Sequence, residues 1–559
     1  MTNAFSLLRK IIRPRSTRPA APQTDNEAAA KKPENVDSTI LKERLALIKN
    51  RLGESNDVVI REFSTGSTEV KMAVLFIDGL ANKQLINDAI IKPLLSTTIV
   101  NHYPEKLTAK NAFDLVKNNI VFYSEISTAP DLTQALKMVL SGDTALFIDG
   151  EQKVLVFGTR AWEKRTPAEP ETEAAVRGSR EGFTETMRIN TSLLRRRIKH
   201  ENLRFETMKA GRRTVTDVNL VYISDIVNQR TLEEVRRRIA AIDTDAILES
   251  GYIEEYIEDY PFSIFPQIEH TERVDKAAAA VIEGRILIMT DNTPFMLIVP
   301  TTFFQYISAA EDYYERPYIA LFLRFLRLFV LNIALFLPAA YVAVVTFHQE
   351  MLPTPLLLSI AASREGIPFP VVAEALVMEG TFEVLREAGV RLPKTVGQAV
   401  SIVGGLVIGD AAIRAGLVSP AMVIIVATTA ISTFAIPAYN AAVSIRLLRF
   451  PLIFLAGIMG LYGLICGLIL ILIHLAGLQS FGVPYLSPLV HGTFSDVVKT
   501  FTRPPWWLFV RRPHMLGLQQ SRRQATNTFS RKPEGSTREL THDATGEKRQ
   551  NQPGGENDS

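Results

Sequence analysis

One cysteine stands in the whole chain, Cys466, and it sits inside an apolar run. Neither a disulfide framework nor a thiolate metal cluster can be built from it. The eight histidines are scattered, without an HExxH or any paired spacing, so no metal centre is expected. There is no P-loop, no GxGxxG and no catalytic constellation of nucleophile and base. The chain therefore reads as no enzyme, with no catalytic residues and no cofactor. Its net charge of +3 is too small to suggest a nucleic-acid partner. A secretory signal is missing as well: Phe5–Ile12 is short and is followed by Arg13, Pro14, Arg15 and Arg18 instead of a small-residue cleavage site. The first half is expected to stay in the cytosol.

What is present divides the 559 residues into a polar half and a strongly apolar one, averaging to a mean hydropathy of +0.10. Residues 1–55 read as a basic N-terminal tail and linker. Arg9, Lys10, Arg13, Arg15 and Arg18 accompany Leu7, Leu8, Ile11 and Ile12, a pattern that suits either a short amphipathic helix on an anionic membrane face or a disordered tail. From Asn56 short β-branched runs appear, first VVIREF (58–63), then VKMAVLFIDG (70–79), followed by a helical pattern through Lys83–Leu95. LFIDG returns at 146–150. LVYISDI at 220–226 has a similar composition and leads into a helix over Thr231–Ile242, with Thr231 and Glu234 placed as a capping box. Asp78 and Asp149 read as turn residues at strand ends. Two α/β subdomains are predicted, 56–160 and 161–310. The charge-dense segment 165–203 reads as solvated helix with surface ion pairs or, more sharply, as a docking surface for another subunit.

Past Tyr318 long apolar runs take over, so 311–515 is predicted to be a helical transmembrane domain and 516–559 a disordered C-terminal tail. Leu328–Phe347, Ala421–Ile445 and Phe450–Leu478 are long enough to cross a bilayer, with 396–418 between the first and the others and Pro437 forcing a kink or a break. Arg324 and Arg327 place the near end of the first span in the cytosol. Helix Val371–Ala388 carries Glu379, Glu383, Arg386 and Glu387, too polar to face lipid, so it lies at the interface, re-enters or lines a vestibule. Four crossings are preferred, with both termini cytosolic, although that leaves Arg446 and Arg449 on the outer side; a fifth crossing through 356–386 repairs that loop but exports the tail. The fold class is an α/β cytosolic region of two subdomains followed by an α-helical polytopic membrane domain.

The stretch at 392–420, LPKTVGQAVSIVGGLVIGDAAIRAGLVSP, organises the apolar half. At helical spacing Gly397, Ser401, Gly405 and Gly409 share a face almost free of side chains, and Gly405–Gly409 is a GxxxG, so neighbouring helices can approach closely there. The opposite face carries Val403, Val407, Asp410 and Arg414, an apolar girdle one turn from an acid and a base that can pair at i, i+4. Such a stripe either lines a polar path or ends in a self-neutralising pair.

The runs EPETEAAVRGSREGFTETMRINTSLLRRRIK, FPQIEHTERVD, EGTFEVLREAGVRLPKTVGQAVSIVGGLVIGDAAIRAGLVSP and SFGVPYLSP resemble the A subunit family of bacterial spore germinant receptors, the GerA type, over roughly 56–515. The resemblance implies a multi-pass subunit of the spore inner membrane, partnered by a transporter-like B subunit and a lipoprotein C subunit. It also implies a homo-oligomeric, nutrient-gated ion channel in the bilayer, which places the pore along the 403–414 stripe with Val407 as its constriction. A transporter, or a scaffold subunit that passes no ions, is the alternative.

Overall fold

The structure is a computed structural model describing residues 38–65, 70–96, 111–121, 123, 125–161, 170, 172, 173, 175, 177–391, 407–490 and 492–524. The basic N-terminal segment and the last 35 residues lie outside it. Its α/β region consists of the same unit built twice. The first runs α1 (Leu41–Leu52), β1 (Val58–Ser64), β2 (Lys71–Ile77), α2 (83–95), α3 (112–120), β3 (Ile126–Ala129), α4 (Leu132–Val139), β4 (Thr144–Ile148) and β5 (Val154–Phe157). The second repeats that succession as α5 (Met187–Arg197), β6 (Leu203–Ala210), β7 (Thr216–Ile223), α6 (Gln229–Ala240), α7 (Ser250–Ile257), β8 (Glu269–Thr271), α8 (Val274–Glu283), β9 (Ile286–Thr290) and β10 (Met296–Val299). Both sheets are antiparallel throughout, in the orders β1-β2-β4-β5-β3 and β6-β7-β9-β10-β8, which coincide when each is counted from its own first strand.

Helices cover both faces of each sheet, which is why the central strands read as unbroken apolar runs. Along β2, Met72, Val74 and Phe76 enter the core under α2 and α3, while Ala73, Leu75 and Ile77 enter the one under α1 and α4. The two LFIDG phrases lie on neighbouring strands, with Met72 opposite Ile148 and Leu75 opposite Ala145. Their aspartates serve the fold. Asp149 Oδ1 accepts the Leu41 N–H at 2.8 Å and so caps α1, and Asp78 pairs with Lys83 at 2.8 Å and Arg188 at 3.1 Å.

Three local expectations are corrected. Leu41–Leu52, assigned to the tail and linker, is a helix because Leu41, Leu45, Ile48 and Leu52 repeat on one face and are buried against the first sheet. Helix α6 begins at Gln229, with Asn228 Oδ1 accepting the Arg230 N–H; Thr231 lies inside it, and Glu234 pairs with Arg237 and Arg238 instead of closing a capping box. The charge-dense segment is not wholly solvated. Arg195, only 1 % exposed, reaches out of the second unit to Asp57 of the first with contacts of 2.8 and 2.9 Å, while the Ser55 hydroxyl donates to the same carboxylate at 2.6 Å.

The apolar half is a bundle. After α9 (Phe303–Ile307), α10 (Pro317–Phe347) rises away from the α/β region for 31 residues, about 46 Å at 1.5 Å per residue. Then follow α11 (Thr354–Arg364), α12 (Val371–Arg391), α13 (Gly409–Arg414), α14 (Pro420–Phe434) and α15 (Tyr439–Gly477). Pro437 falls in the break between α14 and α15. The expected span Phe450–Leu478 is replaced by a helical hairpin. Gly460, at φ 62° and ψ −142°, reverses α15, so that its legs 439–459 and 461–477 run antiparallel. Ser444 on the first leg donates to the Ile264 carbonyl at 2.6 Å, and His474 on the second lies 2.9 Å from the Ser263 hydroxyl, so both legs meet one loop of the α/β region. The turn sits beside Phe347 and His348 at the distant end of α10. Gly463 and Gly467 lie against Leu455 and Leu452 of the first leg, and Gly457 against Val372 of α12, at separations that leave no room for a Cβ. This is small-residue packing of the kind that joins apolar helices.

Beyond the hairpin the chain returns to the second unit. Ser480 Oγ donates to the Gln267 carbonyl at 2.8 Å and accepts the Thr301 N–H at 3.0 Å, Gln519 N–H reaches the Ile226 carbonyl at 3.2 Å, and Leu518 packs on Gly284. Residues 478–490 and 492–515, expected in the membrane domain, and 516–524, expected in a disordered tail, therefore form a strap that touches α10 at Thr500 and the α/β region at Ser480, Arg512 and Leu518.

Two stability predictions follow from these contacts. Asp57→Asn leaves the Arg195 guanidinium buried without its carboxylate and is expected to cost about 3–5 kcal/mol, read as a lowered melting temperature of the purified chain. Gly460→Ala forces a side chain into a backbone region that only glycine occupies readily, at about 1–3 kcal/mol, and against the His348 ring 2.7 Å away. Gly477→Ala, where a Cβ meets nothing within 4 Å, should melt like the parent.

Candidate functional site

Of the stripe and small face expected along 396–418, Gly397, Ser401, Val403 and Gly405 lie outside the described residues. The others are placed. Gly409 is buried, its open side facing Val423 of α14 at ordinary contact distance, so a small residue does face a neighbouring helix there. On the other side Val407 is 54 % exposed and Ile408 is exposed with it. Arg414 Nε meets Asp410 Oδ2 at 2.8 Å across one helical turn, and both side chains are more than half exposed. The i, i+4 pair therefore forms, on the same open surface as Val407. A pair so exposed contributes at most about 1 kcal/mol to stability in water.

The acidic helix is the opposite case. Three carboxylates of α12, Glu374, Glu379 and Glu383, turn inward, where each meets a partner from another helix or its cap, while Glu387 is exposed. Glu374, nearest the hairpin turn, accepts Arg364 Nη1 at 2.5 Å and the Ser419 N–H and hydroxyl at 2.6 and 2.5 Å. Glu379 takes Arg449 Nη1 at 2.5 Å, with both side chains 1 % exposed, while Arg449 Nε donates to the Ala334 carbonyl of α10 at 2.9 Å. Glu383 pairs with Arg446 at 2.9 Å and lies 3.8 Å from Arg386, which donates to the Thr433 hydroxyl at 2.8 Å and sits over the rings of Phe382 and Phe434. Glu379, Glu383 and Arg386 thus belong to an internal ladder, with Arg386 also on the wall of a cavity toward the α/β region. The expectation that Arg446 and Arg449 end on an outer loop is overturned for the same reason: they stand inside the first leg of α15 as partners of α12.

Below the ladder, α10 is tied to the α/β region by Asp312, fully enclosed between Arg324 at 3.2 Å and Arg327 at 2.7 Å. Beside them Lys276 is held charged above its usual pKa: burial opposes this, but the carboxylates of Glu269 and Glu173, each 2.8 Å away, outweigh it. No group of three or more His, Cys, Asp or Glu able to hold a metal occurs among the described residues.

The profile of the family described as "Bacillus/Clostridium GerA spore germination protein" matches residues 46–515. The chain belongs to this family. It is 46 % identical to spore germination protein KA of Bacillus subtilis (strain 168), over 87 % of this chain and 88 % of that one. It is 40 % identical to spore germination protein GerLA of Bacillus cereus, over 85 % of this chain and 95 % of the relative. A crystal structure of the N-terminal domain of the A subunit of the Bacillus megaterium spore germinant receptor GerK3 is similar at 37 % identity and a TM-score of 0.38, covering 48 % of this chain and 96 % of that one. In this GerA-family chain, as the sequence leads one to expect, an α/β region precedes a helical region with apolar helices.

Sequence reading found Glu379, Glu383 and Glu387 of α12 but missed Glu374, and missed Arg364, Arg446 and Arg449 as partners of α12. The available signal was spacing: Glu379 and Glu383 lie four apart, Arg446 and Arg449 three apart, so antiparallel helices can join them as two rungs. If the rungs act as pairs, Arg449→Gln alone should lower the melting temperature more than the Glu379→Gln/Arg449→Gln double variant, with a coupling of about 0.5–3 kcal/mol in the cycle.

Proposed function

We propose that this GerA-family protein is the A subunit of a nutrient receptor in the spore inner membrane and that copies of it assemble into an ion channel whose opening starts germination. Its partners in this reading are a B subunit that senses the nutrient and a lipoprotein C subunit. Support begins with the family and with the bundle's surface. The most apolar stretches of α10 and α15 are only 39 % and 22 % buried within the chain, so most of their side chains face outward, as lipid contact requires. Both legs of α15 meet the α/β region and its turn lies at the far end, so the α/β region and the strap share one side, taken as the cytosol. Helix α12 runs back toward that side from Glu374 to Arg386, and α14 does so from Ser419 to Thr433.

The observation that carries the channel reading is where charge is placed. The ladder pairs Glu374, Glu379 and Glu383 with arginines inside the subunit, while Val407, Asp410 and Arg414 remain exposed. Exposed charge in an apolar bundle calls for water or a neighbouring copy beside it. In this reading Val407, Asp410 and Arg414 face the shared path around which copies assemble.

Val407→Ala, by removing bulk from the constriction, is expected to raise ion flux from receptor-loaded vesicles without nutrient and to give unprompted germination in spores. Unchanged basal flux from a variant present at normal levels counts against a pore at Val407. Saturable exchange with fixed substrate stoichiometry would point instead to a transporter.

A further inference from the structure

Between the bundle and the α/β region lies a cavity of about 520 Å³. Its wall holds Arg273 and Lys276 from the α/β side, Arg327 from α10, Arg386 from α12 and Arg446 from α15, against two acidic residues, Glu173 and Glu311. Three of the five cations are already neutralised: Arg273 by Asp275 at 2.8 Å, Lys276 by Glu173 and Glu269, and Arg327 by Asp312. The bundle side is different. Among the described residues, Arg386, Arg446 and Arg449 form their ion pairs with Glu379 and Glu383, three guanidinium groups on two carboxylates. The Nε atoms of Arg386 and Arg446 are buried without a hydrogen-bond partner, and Arg446 is only 8 % exposed. A guanidinium whose buried N–H groups are unmet is costly, and an anion that accepts from them removes the cost.

We infer that this cavity binds a phosphate-type oxyanion between Arg386 and Arg446. Guanidinium groups present forked N–H donors that suit a tetrahedral oxyanion better than a spherical one, and the Thr433 hydroxyl borders the same space. The volume accommodates a phosphate group with accompanying water. Phe434 and Tyr439 also line the cavity and are largely exposed, which opens an apolar exit from it onto the bundle surface. The phosphate is therefore either the headgroup of an anionic lipid, with its chains along that exit, or a free ion. The lipid source rests on the membrane reading above; the free ion does not. Either one joins the bundle to the α/β region through a single charged contact.

The test uses the purified full chain. Native mass spectrometry after incubation with vesicles of phosphatidylcholine, with or without phosphatidylglycerol, reads lipid retention; calorimetry with inorganic phosphate in a zwitterionic detergent reads the free ion. Retention of phosphatidylglycerol over phosphatidylcholine without a response to phosphate identifies a headgroup, and saturable phosphate binding identifies the free ion. Arg386→Gln should weaken whichever binds by about tenfold or more. Glu383→Gln keeps both guanidiniums, removes the carboxylate that competes for them, and should tighten binding. Failure of the parent chain to bind either probe overturns the proposal, as does binding that Glu383→Gln leaves unchanged.

Discussion

A charge inside an apolar helical bundle has to be neutralised there, and in this protein that requirement decides which helices are neighbours. Glu374, Glu379 and Glu383 face inward from α12 along its length, and each is met from a different direction: by Arg364 and Ser419, by Arg449, and by Arg446. The reversal at Gly460 fits the same arrangement. It returns the chain alongside the leg that supplies both arginines, and the glycines at 463 and 467 press the two legs together while 457 admits α12. Packing and charge pairing thus select one order of helices.

The α/β region rests on a second buried pair of the same chemistry. Asp57 and Arg195 join the two copies of the repeated unit, whose cores are otherwise separate. The second unit then holds the bundle at three places: the 263–270 loop against both legs of α15, Asp312 against Arg324 and Arg327, and the C-terminal strap over the surface of the second unit. Arg273 and Lys276 of the second unit line one wall of the cavity whose other wall holds Arg386 and Arg446.

How much of this was legible in the sequence follows from how local each signal is. The strands of the α/β region are short apolar runs bounded by turn residues, and VKMAVLFIDG marks β2 without ambiguity because both of its faces are covered. The Asp410–Arg414 pair is a one-turn contact and formed as its spacing suggested. Glu379 and Glu383 were recognisably too polar for lipid. The hairpin was hidden because apolar residues continue straight through its turn, leaving only the run GIMGLYGLICG to betray it. Arg446 and Arg449 looked like loop charges because their partners lie more than 60 positions away. Arg195 was masked by the many solvated charges around it. The duplicated unit escaped because strand order, not residue identity, is what the two copies share.

The most direct test of this account is the side of the membrane on which the two ends of α15 lie. In a Cys466→Ser background, Tyr439→Cys and Gly477→Cys are labelled one at a time with a membrane-impermeant thiol reagent, in vesicles of known orientation and again after permeabilisation. A chain that folds back at Gly460 around its paired charges predicts that both positions react from the same side, the one that exposes the α/β region. Reaction from opposite sides would make α15 a single crossing and contradict the ladder on which the rest of the structure is built.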